Sequence, residues 1–95
     1  MKVVIKKSTK PTKKLMAVFT RENGREKITH FGSAGMDDYT KTRNKDQKSR
    51  YLKRHRRREN WNDPESAGAL SRWILWNKET RGASIKDYKK RFNLK

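Results

Sequence analysis

The chain has 95 residues, no cysteine, 27 Lys and Arg against 10 Asp and Glu, a formal net charge of +17, and a mean hydropathy of −1.33. That length allows one small domain with a modest stability margin, and the absence of cysteine excludes disulfides and thiolate metal sites. No apolar run approaches the roughly 20 residues of a membrane span, and the opening MKVVIKK is too short an apolar segment for a secretory signal. The expectation is a soluble protein with no membrane partner. Three Trp, three Tyr and three Phe are enough to seed a core.

Taken in chain order, KVVIKK at 2–7 reads as a short strand or an ordered basic arm, since Val and Ile favour strands and lysine suits an edge. The polar cluster around Pro11 is a loop. Residues 14–32 form a hairpin. Leu15–Phe19 and Ile28–Phe31 are strand-length apolar runs, and Asn23-Gly24 between them suits a two-residue type I′ turn. That turn would pair Glu22 with Arg25 and Thr20 with Lys27. Leu15, Ala17 and Phe19 would share one face.

Residues 32–44 connect. Gly32 and Gly35 free the backbone, and Asp37-Asp38 are placed to cap a turn. A helix is predicted from Lys45 to Glu59, with Asn44 as N-cap and Gln47 three residues on. A second helix should start at Asp63-Pro64 and run to Lys78, apolar on most sides and therefore central. Thr80-Arg81-Gly82 should end it. Ser84 and Asp87 should cap a third helix carrying Ile85, Tyr88 and Phe92. The expected fold class is α+β: an N-terminal β-hairpin or three-stranded antiparallel meander followed by three short helices. It forms one basic domain over 1–95, with 1–13 either a flexible or an edge-strand basic arm.

The charge is concentrated. Between Lys41 and Arg58 the only acid is Asp46. Like charges at i, i+4 destabilise an isolated helix, so an anionic partner would relieve a cost that a balanced solvated face would never incur. Arginine suits phosphate because its planar fork binds two oxygens. The candidate nucleic-acid-binding residues are Lys41, Arg43, Lys48, Arg50, Lys53, Arg54, Arg56, Arg57 and Arg58. Arg50, Arg54 and Arg57 would stack along one side of the helix. The lysine-rich segment Lys2–Lys14 and the tail cations Lys86, Lys89, Lys90, Arg91 and Lys95 make two further patches. Charge distributed in this way suits coating or bridging a polyanion more than reading one site.

Other features point less far. Trp73 and Trp76 fit core packing, and Trp61 fits an anchor at the helix junction better than base stacking. HFGSAGMDD lacks the Lys-Ser/Thr ending of a P-loop and is read as a structural turn. Two histidines without cysteine do not suggest zinc. No catalytic arrangement stands out, so neither an enzyme nor a cofactor is expected.

The succession HFGSAGMDDYT, RYLKRHRRRENW and AGALSRWILWNK resembles a family of small, basic, uncharacterised proteins of large double-stranded DNA viruses infecting algae and amoebae. The resemblance runs from about Lys13 to Leu94. It implies a viral source and a virion interior or viral factory in the host cell, and it carries no site residue. The combined expectation is a non-enzymatic protein that coats, condenses or packages viral double-stranded DNA with little sequence specificity. The alternative is a small structural or cement protein binding acidic capsid or core surfaces, and a third option is RNA binding.

Overall fold

The computed structural model describes residues 1–95. Three antiparallel strands, β1 (Lys2–Lys7), β2 (Lys13–Thr20) and β3 (Glu26–Ser33), lie side by side in chain order. Alternation along the strands sends Val3, Phe19, Leu15 and Phe31 to one face, where Val3 pairs with Phe19 and Leu15 with Phe31. All four are buried, as is Ala17 beside them. The opposite face is covered at Met16, which is buried, and more open beyond it. There Val4, Val18 and Ile28 sit abreast across the three strands, with Val4 55% and Ile28 51% exposed.

The hairpin is present, but its register is one residue from the expected one. Thr20 pairs with Glu26, and Arg21 N donates to Arg25 O at 2.9 Å. The loop is Glu22-Asn23-Gly24. Gly24 N donates to Arg21 O at 2.9 Å, and Gly24 alone in the loop has a positive φ, of 84°. This is the three-residue hairpin loop, a type I turn followed by a left-handed glycine. A type I′ turn would need Asn23 in the left-handed region too. Instead Asn23 Oδ1 accepts from Arg25 N and holds the looser turn.

Segment 1–13 is an edge strand followed by a turn, not a free arm. The outer edge of β1 is met by the last residue: Val3 N donates to Lys95 O at 3.0 Å and Lys95 N to Met1 O at 3.2 Å.

Four α-helical segments follow: α1 (Tyr39–Thr42), α2 (Lys45–His55), α3 (Ala67–Leu70) and α4 (Arg81–Arg91), with a π turn over Ser71–Leu75 continuing α3. The α+β class and the order of sheet and helices are as expected, and α1 is an addition. Asn44 caps α2 as predicted, accepting from Gln47 N at 3.0 Å. The helix ends at His55 rather than Glu59. Arg56, Arg57 and Arg58 continue as a turn, where consecutive cations need not stack on a helical face.

The second helix begins later than Asp63-Pro64. Those residues form a turn in which Ser66 N donates to Asp63 O, and Ser66 Oγ is the cap, accepting from Ala69 N at 3.1 Å. The helix also ends before Lys78. Trp76 N donates to Ser71 O at 3.0 Å, five residues back, and Trp76 then leaves helical geometry. Thr80 starts α4 instead of ending the helix before it: its Oγ1 accepts from Ala83 N at 3.2 Å. Ser84, expected as a cap, is fully buried inside α4, and its Oγ accepts from Lys78 N at 2.9 Å.

Leu70, Ile74, Leu75 and Tyr88 close the core against the sheet. The Tyr88 hydroxyl donates to Pro64 O at 2.6 Å, and burial, reinforced by the charges of Glu65 and Asp63, pushes its ionisation far above the ordinary range. Gly32 sets the closest approach. Its φ is 78°, and a Cβ there would stand 2.7 Å from Leu75 Cδ1.

Candidate nucleic-acid interface

α2 lies at the periphery and is held by few groups. Tyr51 is its one buried residue. The ring stacks on Trp76 with centroids 4.3 Å apart and planes 9° from parallel. Leu52 packs partly against the core beside it. Lys48 departs from the expected phosphate-binding set because it is turned inward. Its Nζ donates to Asn77 O at 2.7 Å and lies 4.7 Å from the centre of the buried Tyr39 ring. Burial, with the charges of Arg72, Lys78 and Lys45, holds its ammonium below the ordinary lysine range. It is a clamp for the helix.

The rest of the set faces outward. Arg50, Lys53, Arg54, Arg56, Arg57 and Arg58 are all exposed. None of them lies within 4 Å of a carboxylate, while the protein's ion pairs join other residues. Arg50 and Arg54 share a face of α2, whereas Arg57 is beyond the helix end and is not in a continuous stripe with them. Lys41, on α1, lies 3.6 Å from Asp37. Arg43, at the left-handed end of α1 (φ 54°), is exposed.

Lys41 and Arg43 belong to a second grouping that spacing along the chain did not reveal. With Lys14 of β2 and Arg81 of α4 they line a cavity of about 450 Å³ that also contains Asp38, Glu79 and Thr80. Asp38 was expected to cap a turn. Its side chain makes no cap bond. It is buried, accepts from Lys14 Nζ at 2.6 Å, and is hydrogen-bonded by Thr40. Burial alone would raise its pKa. The hydrogen bonds from Lys14 and Thr40, with the charges of Lys14 and Arg81, outweigh burial and hold the carboxyl below the usual range. This pair ties the connector to β2 across sequence too distant for any local signal.

A larger cleft of about 950 Å³ lies between the glycine loop after β3 and the C-terminal half of α2. Tyr51, Arg54, His55, Arg58 and Glu59 line one side of it, and Phe31, Gly32 and Gly35 another. Gly68 of α3 admits the Glu59 side chain, whose Cδ would be 2.9 Å from a Cβ at that position.

The tryptophans are structural. Trp76 is buried, and Trp73 Nε1 donates to Trp61 O at 2.9 Å. Trp61 is half-buried, and the guanidinium of Arg72 lies 5.3 Å from its ring centre. Of the tail cations, Arg91 covers Trp73 at 3.8 Å and pairs with Asp87 at 3.5 Å, whereas Lys86, Lys90 and Lys95 are exposed. No group of three or more His, Asp or Glu side chains is arranged to hold a metal ion. No helix is long and apolar enough to cross a membrane.

These features define a small α+β protein with a weakly anchored cationic helix beside a three-stranded sheet. The chain belongs to the family of unknown function DUF5754, whose model matches residues 3–55, the sheet with α1 and α2. The match ends on the last residue of the cationic helix. No curated protein and no solved structure matches the chain.

Proposed function

We propose that the protein is a non-enzymatic nucleic-acid-binding protein that neutralises phosphates with α2 and the turn after it. The observation that carries this reading is the unpaired state of Arg50, Lys53, Arg54, Arg56, Arg57 and Arg58, exposed together on a peripheral segment. Six such cations beside a polyanion would release its condensed counterions, and the gain falls steeply with salt. Contacts to phosphate carry no sequence information directly, so sequence preference should be slight. The resemblance to small basic proteins of large DNA viruses makes the viral genome the polymer proposed, coated or packaged in a virion or viral factory.

Binding to duplex DNA and duplex RNA of equal length, each in two unrelated sequences, tests the reading across a salt series. The expected result is a loss of about a thousandfold in affinity between 50 and 200 mM salt, as for about six phosphate contacts, and little difference between sequences. Weak binding at low salt would overturn it.

A second reading, a cement protein of the particle, is favoured by one observation. The apolar row Val4–Val18–Ile28, exposed at Val4 and Ile28, suits a protein partner better than a phosphate backbone. It requires stoichiometric association with capsid or core protein that survives nuclease treatment.

A further inference from the structure

Three aromatic rings form a ladder on one wall of the larger cleft. Trp76 and Tyr51 stack at 4.3 Å and 9°, and His55 stacks on Tyr51 at 4.1 Å and 22°. Trp76 and Tyr51 are buried at 7% and 8% exposure, while the His55 side chain is 38% exposed and lines the cleft. The ladder therefore ends in an imidazole with one face on Tyr51 and more than a third of its side chain open to solvent at the cleft. Core packing accounts for the first two rings but places no demand on the third.

The cleft around His55 is lined by cations and by three carboxylates, those of Asp37, Asp38 and Glu59. Arg54 and Arg58, before and after it, line the same cleft, are exposed and have no acidic partner. Lys13 adds a cation from β2. Glu59 is the acid nearest the ring, 3.4 Å from Nδ1, and its carboxylate also accepts from Trp61 Nε1 at 3.2 Å. That carboxylate approaches the imidazole at its Nδ1 edge. The volume of about 950 Å³ is ample for a base and its sugar.

We propose that this cleft receives an unpaired nucleobase of a single-stranded nucleic acid, stacked on His55, with the flanking phosphates on Arg54 and Arg58. Base–aromatic stacking beside a cationic groove is the general means by which single strands are held without sequence preference. The inference rests on the nucleic-acid reading above and adds to it a site for strand that is not in a duplex.

The test uses the full chain and two strands of equal length, oligothymidylate and a wholly abasic strand with the same phosphates, followed by fluorescence anisotropy at one low salt concentration. Oligothymidylate should bind about tenfold more tightly than the abasic strand, the scale of one stacked base. His55→Ala should collapse that ratio to near one and His55→Phe should keep it, with circular dichroism confirming that both variants are folded. Equal affinities for the two strands with the unaltered protein, which needs no variant to fold, would overturn the base site while leaving phosphate binding intact. So would a ratio that survives His55→Ala. Failure of both strands to bind would overturn both the base site and the nucleic-acid reading.

Discussion

β2 and α2 are the two most different elements of this molecule. β2 has eight residues, of which Leu15, Met16, Ala17 and Phe19 are buried. α2 has eleven, of which only Tyr51 is buried. β2 is the centre of the sheet, paired on both edges, and its inner face is covered by Leu70, Ile74 and Tyr88. α2 is pinned by one stacked ring, a half-buried leucine and one lysine. Burial of apolar area stabilises the first, whereas the second keeps a high density of like charge in water, where repulsion is screened. Fold and proposed function are thus carried by different residues, and mutation should separate them.

The largest loss of stability should come from the centre of β2. Phe19→Ala leaves a cavity under the helices and should cost about 3–5 kcal/mol, a large part of the margin of a domain this small, as a lower urea midpoint. Tyr51→Ala sharpens the contrast. It should cost about 3 kcal/mol, reduce helical circular dichroism, and weaken nucleic-acid binding although no cation is removed. If binding is unchanged, α2 is not held by that ring.

Lys14→Met leaves the buried Asp38 without its cation and should cost about 2 kcal/mol at neutral pH. Because the Asp38 pKa is lowered in the folded protein, its contribution is fully present above the ordinary value near 3.8 and is lost as pH falls through the folded value. Acid unfolding of the Lys14→Met protein should therefore be less steep than that of the parent, and adding Asp38→Asn should recover part of the neutral-pH loss.

Tyr88→Phe removes the hydrogen bond to Pro64 O and should cost about 1 kcal/mol. The raised Tyr88 ionisation has the opposite sign to that of Asp38: its contribution is present below the unfolded tyrosine value, about 10, and is lost as pH rises beyond it. The variant should accordingly lose less stability at alkaline pH. The smallest effect on stability belongs to Arg50→Glu with Arg54→Glu and Arg57→Glu. The urea midpoint should not fall, since repulsion is relieved, while binding to duplex DNA should be abolished. A fall in midpoint would break the separation of fold from function, and unchanged affinity would remove α2 as the contact surface.

The sheet was legible because alternation of apolar residues over Leu15–Phe19 and the Asn-Gly pair are local signals. Its register was not, because a two-residue loop and a three-residue loop use the same dipeptide, and only the conformation of Asn23 distinguishes them. The cap of α2 was legible, as Asn44 and Gln47 are neighbours on one turn. The starts of the later helices were misplaced for a related reason. Asp63, Ser66, Thr80 and Ser84 are all capable caps, and the competition among them is decided by which hydroxyls the packed core requires elsewhere, as with Ser84 inside α4. Among the candidate site residues, exposure of the arginines followed from their number. The inward turn of Lys48 did not, since its acceptor is the carbonyl of Asn77, far along the chain.

The α+β order, the inward face of β2 and the cationic character of residues 41–58 follow from alternation, capping and charge density, which are properties of neighbours along the chain. That Lys14 meets Asp38, that Arg81 joins Lys41 and Arg43, and that Trp76, Tyr51 and His55 form one ladder follows from the folded arrangement alone. Those groupings depend on how the π turn and the helices settle on the sheet, which is governed by close packing among distant residues.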